Sequence, residues 1–235
     1  MVARANETSE GADEPAGIPG HVTQIASQAR RSDRVTISVD GRFCLACRLT
    51  VAADFGIAIG SEMTSALRDS LLEEDDFLSA YEYAIDLLAR RARSEREVRD
   101  RLRRKRYEEP AISRVLNRLV ENNYLDDAEF ARFWIENRTA NRPKGDRALR
   151  QELMAKGVNR PIIDEALSTA DLDQRMLAIE AGRKRIRSLE GLPPDVQRRR
   201  LASYLQRRGF RWDAIGPAME TILGTSGDVE EADNE

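Results

Sequence analysis

From Phe77 onward the chain carries one pattern, apolar residues at helical spacing. Tyr81, Ala84, Ile85 and Leu88 fall at i, i+3, i+4 and i+7, and so do Ile112, Val115, Leu116 and Leu119. Each set forms one stripe of a helix. Upstream the period changes. Val35, Ile37 and Val39 alternate with polar residues, and Asp40-Gly41 is a two-residue turn that tolerates positive φ. Val35 to Cys47 therefore reads as a β-hairpin. A short helix is expected near Ser61 to Leu72. Ser94 with Glu97 forms a capping box, Asp126 with Glu129 its aspartate analogue, and Pro110 and Pro161 suit first helical turns.

The helical part is repetitive. A shift of 51 residues places Val98 on Leu149, Leu102 on Leu153, Lys105 on Lys156, Pro110 on Pro161, Ile112 on Ile163 and Leu116 on Leu167, without a gap. A further shift of 52 places Leu149 on Leu201, Leu153 on Leu205, Gly157 on Gly209, Ile163 on Ile215 and Leu167 on Met219. The unit is about 50 residues long, occurs three times and reads as three helices, with Gly157 and Gly209 closing the second helix of their units. Units this small share cores with their neighbours, so the expectation is an elongated, curved array. The expected fold class is mostly α, with tandem three-helix repeats behind a short N-terminal β-hairpin. The expected segments are a disordered acidic start (1–30), hairpin plus short helix (31–76), repeats at 77–125, 126–170 and 171–223, and a disordered acidic tail (224–235).

Composition narrows the function. Charged residues make up 34% of the chain and hydrophobic residues 41%, which suits a well-solvated helical protein more than an enzyme built on a thick sheet. No apolar run is long enough for a membrane helix. The first 20 residues lack the basic-then-apolar order of a secretory leader. The two cysteines make no disulfide framework, so a cytoplasmic protein without a membrane partner is expected. The sole histidine, His21, falls in the segment expected to be disordered, which removes most histidine catalysis and most zinc sites. Cys44-Leu-Ala-Cys47 is a C-x-x-C, but residues i and i+3 of a strand face opposite ways, and two small half-buried side chains are the ordinary reading. Gly56 to Ser61 lacks the lysine of a phosphate-binding loop, and no nucleophile elbow is present. No catalytic residue, metal ligand or cofactor is expected, and the chain is expected not to be an enzyme.

Charge supplies the positive signal. The net charge of −3 combines −3 in residues 1–20, −5 in residues 224–235 and +5 between them. Residues 90–118 hold twelve basic and five acidic side chains, and residues 183–211 hold ten and two. One such block would read as a solvated helix face. Two in corresponding parts of a repeat point to a polyanion. The basic residues cluster where the first helix of each unit meets the second: Arg90, Arg91 and Arg93; Arg138, Arg142, Lys144 and Arg147; Arg183, Lys184 and Arg187. Three-helix units also suggest helix-turn-helix readers, whose last helix enters the major groove. Here that helix carries Asp164 and Glu165 in the second unit and Asp213 and Glu220 in the third, which the phosphates would repel. A DNA-binding repressor and a helical protein adaptor with no nucleic-acid contact remain the alternatives. Phe130, Phe133 and Trp134 share one helix and read as core more than as a base-stacking surface.

Tyr124-Leu-Asp-Asp127, Phe130-Ala131, Trp134 and Arg138, followed by Gly145, Leu149, Glu152-Leu153 and Lys156-Gly157, resemble the signature of the RecX family, regulators of the bacterial recombinase RecA. Ala84, Leu87-Leu88, Arg91, Ser94, Val98 and Leu102 resemble that family's first repeat, and the resemblance covers residues 30–223. Arg106 stands where the first repeat often has Gly. The resemblance implies a non-catalytic, cofactor-free protein that binds the RecA–DNA filament in its groove and suppresses strand exchange, ATP hydrolysis and coprotease activity in recombination, repair and the SOS response. Some members of that family also bind DNA directly, and with the basic blocks the expected partners are the RecA filament and single- or double-stranded DNA, met through the phosphate backbone by a monomer. The basic residues named above would then face RecA or DNA.

Overall fold

The computed structural model describes residues 18–29 and 31–224. The acidic start up to residue 17 and the acidic tail from residue 225 lie outside the described residues. The chain divides into two compact units: residues 1–86 with 105–115, and residues 87–104 with 116–235.

In the first unit, Asp40 and Gly41 both take positive φ and turn β2 (Arg31–Val39) into β3 (Arg42–Arg48), as their sequence requires. The sheet is larger than a hairpin. Its order is β3-β2-β1-β4, all antiparallel, with β1 at Gly20–Gln28 and β4 at Glu62–Met63. Residues 20–28, His21 among them, were expected to be disordered, and this is a correction. The physical reason is a register shift between Val22 and Gln24. It lets Val22 and Ile25 both face the core, an odd separation that hides the period of two. Val35, Ile37, Val39, Leu45 and Cys47 fill one face together with Val51, Ala52, Met63 and Leu71. Cys44 is half-buried against the same cluster, and burial pushes the Cys47 thiol up to about 11 and raises that of Cys44. Both stay neutral thiols.

Helix α1 (Leu49–Asp54) follows β3, and α2 runs unbroken over Ser65–Arg90. The short helix expected near Ser61 to Leu72 and the first helix of repeat 1 are therefore one element crossing the expected boundary at 76. Its 26 residues contain neither Gly nor Pro, so nothing stops it at the acidic residues Glu73 to Asp76. Buried Asp75 ties α2 to the sheet. It accepts from Arg34 at 2.8 Å, from the Arg48 backbone N–H at 2.9 Å and from the Arg48 guanidinium at 3.4 Å. A buried carboxylate needs such partners to offset its lost hydration. In the same unit, the Arg114 guanidinium lies 3.9 Å from the Phe77 ring centroid and pairs with Glu74 at 2.6 Å.

The second unit is built from α3 (Glu95–Arg104), the end of α4 (Glu109–Glu121), α5 (Asp127–Asn141), α6 (Asp146–Ala155), α7 (Arg160–Thr169), α8 (Gln174–Ile186), a 3-10 turn (Arg187–Leu189), α9 (Pro194–Arg207) and α10 (Trp212–Leu223). The repeat is real: α5–α7 and α8–α10 each enclose a cluster of the apolar residues that the shifts superpose. Pro110 and Pro161 sit in first turns. Asp126 accepts from the Ala128 and Glu129 amides, and Ser94 from that of Glu97.

Within this unit the middle helices meet end to end. The Ser94 hydroxyl at the start of α3 donates to the Lys156 carbonyl at the end of α6, at 2.6 Å. One unit later, the Gly145 amide at the start of α6 donates to the Arg208 carbonyl at the end of α9, at 3.0 Å. Gly157 and Gly209 close α6 and α9 at φ of +88° and +85°. They do more than cap. A Cβ on Gly209 would overlap the backbone of Ala148, and one on Gly157 the Arg96 side chain. Arg106, their counterpart at the end of α3, also takes a left-handed φ, of 66°. No three-helix unit precedes it in the repeat, so its side chain needs only that conformation and not the vacant space.

Gly209→Ala adds both backbone strain and overlap and should destabilise the protein by about 2–4 kcal/mol. Arg106→Gly relieves the left-handed strain, creates no overlap and gives up the side chain's own contacts, and should change stability by at most about 1 kcal/mol. Urea unfolding of the two variants checks this; an unchanged midpoint for Gly209→Ala would remove the close approach from the account.

Candidate functional site

The links between first and second helices lie beside these junctions, and their side chains divide into two groups. The first group is held by carboxylates. Glu152 on α6 accepts from Trp134 Nε1 at 2.9 Å, from Arg138 Nε at 2.8 Å and from the Lys144 ammonium. The Arg138 guanidinium lies 4.3 Å and the Lys156 ammonium 5.0 Å from the Trp134 ring centroid. Lys156 then donates to Glu97 at 2.6 Å, and Arg91 grips both Glu97 oxygens at 3.0 and 3.2 Å. One continuous network thus runs from the first link to the second. Burial alone would raise the Glu97 carboxyl, but hydrogen bonds and charge from Arg91 and Lys156 outweigh it and bring it to about 2. Glu152 is also partly buried, and Lys144, Arg138 and Trp134 lower it.

Arg93 departs furthest from its expected outward position. It is buried and donates to the Leu87 carbonyl at 3.0 Å, closing the end of α2. Lys184 pairs with Glu180 one turn away at 2.8 Å, an exposed pair of small worth. The second group is open. Arg90, Arg142, Arg147, Arg183 and Arg187 are all exposed and make no side-chain hydrogen bond or ion pair among the described residues. The aromatic triple is also split: Phe130 is buried and Trp134 half-buried, while Phe133 is exposed, against the expectation of core.

Two basic clefts lie at equivalent junctions. The first is lined by Arg91, Arg93, Arg96, Arg101, Arg104 and Lys156, with Glu97 and Asp100. The second contains Arg147, Gln206, Phe210, Arg211 and Trp212. Sequence reasoning missed Arg96, Arg101 and Arg104, which sit inside a helix and not at a link, and it missed Trp212. The available signal for Trp212 was the Phe-Arg-Trp triplet after the Gly209 cap, where only Phe210 can be core. Among the described residues no three His, Cys, Asp or Glu side chains come together as a metal site, and no helix is long and apolar enough to cross a membrane.

Three family models match in order along the chain: RecX first three-helix domain over residues 80–119, second over 126–167 and third over 173–219. The Regulatory protein RecX of Bacillus subtilis is 31% identical over 202 residues, spanning 86% of this chain and 76% of that protein. That of Clostridium acetobutylicum is 29% identical, spanning 86% and 96%. A crystal structure of regulatory protein RecX superposes with a TM-score of 0.68 at 23% identity over 86% of this chain and 98% of its own. RecX from Lactobacillus salivarius does so at 0.54 and 22%, over 63% and 97%. These structural likenesses bear on the fold.

Glu97 gives the network a pH signature. Its carboxyl is depressed in the folded state, so its contribution is full above the ordinary carboxylate range and is lost as pH falls from about 4.5 towards about 2. Glu97→Gln should destabilise the protein by about 1–2 kcal/mol at neutral pH, allowing for solvent screening. The gap to the wild type should close across that acid window. Urea midpoints measured from pH 7 to pH 2 check it; a gap constant with pH would mean that the charge of Glu97 contributes nothing.

Proposed function

The chain belongs to the RecX family of regulatory proteins, and from that premise we propose that it binds the filament of the recombinase RecA on DNA and suppresses strand exchange, ATP hydrolysis and coprotease activity. The observation that carries the reading is the recurrence of exposed, unpaired arginines at the same link of each three-helix unit: Arg90, then Arg142 and Arg147, then Arg183 and Arg187. Spaced cations on a rigid scaffold suit a polymer with regularly spaced phosphates. Arginine also suits the acidic patches of a protein partner, because its planar fork meets carboxylates in pairs.

Arg91, Arg138 and Lys144 have a different role in this reading. They are committed to Glu97 and Glu152, so they position the links and do not meet the partner. Occupation of the filament by the basic links would exclude a second duplex and disturb contacts between recombinase protomers. Contact through phosphates carries no base code, so no preferred DNA sequence is expected. A base-reading repressor fits less well: in α7, Asp164 pairs with Arg150 and Arg160, and Glu165 is exposed, so that face offers no excess of positive charge to a groove lined with phosphates.

Arg142→Glu combined with Arg183→Glu reverses two open charges and leaves the Glu97–Glu152 network whole. The pair should weaken inhibition of RecA's DNA-dependent ATP hydrolysis and strand exchange by tenfold or more and flatten the salt dependence of DNA binding by roughly two units of logarithmic slope. Titration of the variant into both assays decides it; undiminished inhibition would show that these links do not face the filament.

A further inference from the structure

The cleft at the second junction has a chemistry that the first lacks. Trp212, the first residue of α10, is 62% exposed, while its neighbour Phe210 is 2% exposed and fills the core of the third unit. The fold therefore uses Phe210 and leaves the Trp212 indole in water beside Arg147, Arg211 and Gln206. We propose that this cleft holds an unpaired base of a single-stranded nucleic acid, with Trp212 as the stacking platform and Arg147 and Arg211 as partners of the flanking phosphates.

Comparison of the two junctions supports the assignment. Arg147 is the counterpart of Arg96 under the 51-residue shift. Arg96 is consumed by its junction: it donates to the Ala155 carbonyl at 2.5 Å and covers Gly157. At the second junction Ala148 packs against Gly209 instead. Arg147 is released, exposed and without a hydrogen bond or ion pair among the described residues. Two carboxylates stand near this corner, Asp146 and Asp213. Asp146 is engaged by the Gln174 amide at 2.6 Å, and the lining itself contains two arginines and no acid.

An indole sharing a cleft with two guanidinium groups matches a base and its neighbouring phosphates. Stacking tolerates any base, because every base has a π-face. Gln206 can donate to or accept from a base edge. In a duplex the base faces are covered by their neighbours, so the same cleft would meet only phosphates there. The site therefore prefers single strands, and it requires no recombinase, so it stands independently of the reading above.

Binding of the full chain to three labelled probes tests it: an oligothymidylate of about fifteen nucleotides, an abasic oligomer of equal length and a duplex. The wild type should bind oligothymidylate roughly tenfold more tightly than the abasic strand. Trp212→Ala should abolish that preference while keeping the abasic affinity, Trp212→Phe should keep most of it, and Arg147→Ala with Arg211→Ala should weaken both strands. Equal wild-type affinity for the two strands would overturn the proposal without recourse to any variant, and so would a preference that survives in Trp212→Ala. Unchanged oligothymidylate binding by Trp212→Ala with lost action on RecA would overturn it too, and would assign the cleft to a protein partner.

Discussion

The end-to-end contact of the middle helices is the constraint from which the second unit's arrangement follows. Every helix ends with carbonyls, and begins with amides, that have no partner in their own helix. Here the end of α6 meets the start of α3, and the end of α9 meets the start of α6. The terminal carbonyl of one helix thereby gains a donor from the cap of the next, a hydroxyl in the first case and an amide in the second, and the aligned dipoles attract. The approach is close enough to require a glycine at the end of each accepting helix. The next unit's first helix completes the joint with its first residue. Asp127 accepts the Glu95 amide at 2.9 Å, and Gln174 accepts the Asp146 amide at 3.2 Å. Two different side chains thus do the same work at equivalent positions.

Once the backbone joint is fixed, the charges around it have little freedom. Glu97 and Glu152 sit against it, partly buried, and each must be neutralised. Arg91, Arg138, Lys144 and Lys156 do so, with the Trp134 ring between them. Several of the residues by which the chain resembles its family are in this joint, among them Trp134, Arg138, Glu152, Lys156 and Gly157. Their identity reports how units are joined. It reports the partner only indirectly, by determining where the remaining arginines stand.

The repeat was readable because its first two units align without a gap and because core positions such as Leu102, Leu153 and Leu205 must be apolar wherever they stand. The turn at Asp40-Gly41 and the caps at Ser94 and Asp126 were readable because their chemistry is local. What was not readable depends on partners far along the chain. Arg93 looks like Arg90 in the sequence, and only the fold brings it against the Leu87 carbonyl. Arg138 lies in the last turn of α5 and Arg142 four residues on, just past its end, yet one is bound to Glu152 and the other is open. β1 was hidden by its bulge, and the length of α2 by the four carboxylates Glu73 to Asp76 at the expected boundary, a stretch that contains no helix breaker.

The division between bound and open arginines also separates how the two respond to solvent. Ion pairs at the joint are partly shielded and linked into a network, so mobile ions reach them poorly. The open arginines stand in water, where a Debye length of about 8 Å at physiological salt limits their reach. Raising salt therefore weakens contact with a polyanion well before it loosens the joint. Under the proposed binding, a regulator that must leave its polymer needs this order of events: the surface proposed to bind is the weakly held one, and the surface that holds the units together is the one salt cannot easily reach. Merging the two sets, with the same arginines serving both joint and partner, would couple release to unfolding. Keeping Glu97 and Glu152 saturated from within prevents that coupling, because no partner phosphate has to compete with a structural carboxylate for its cation.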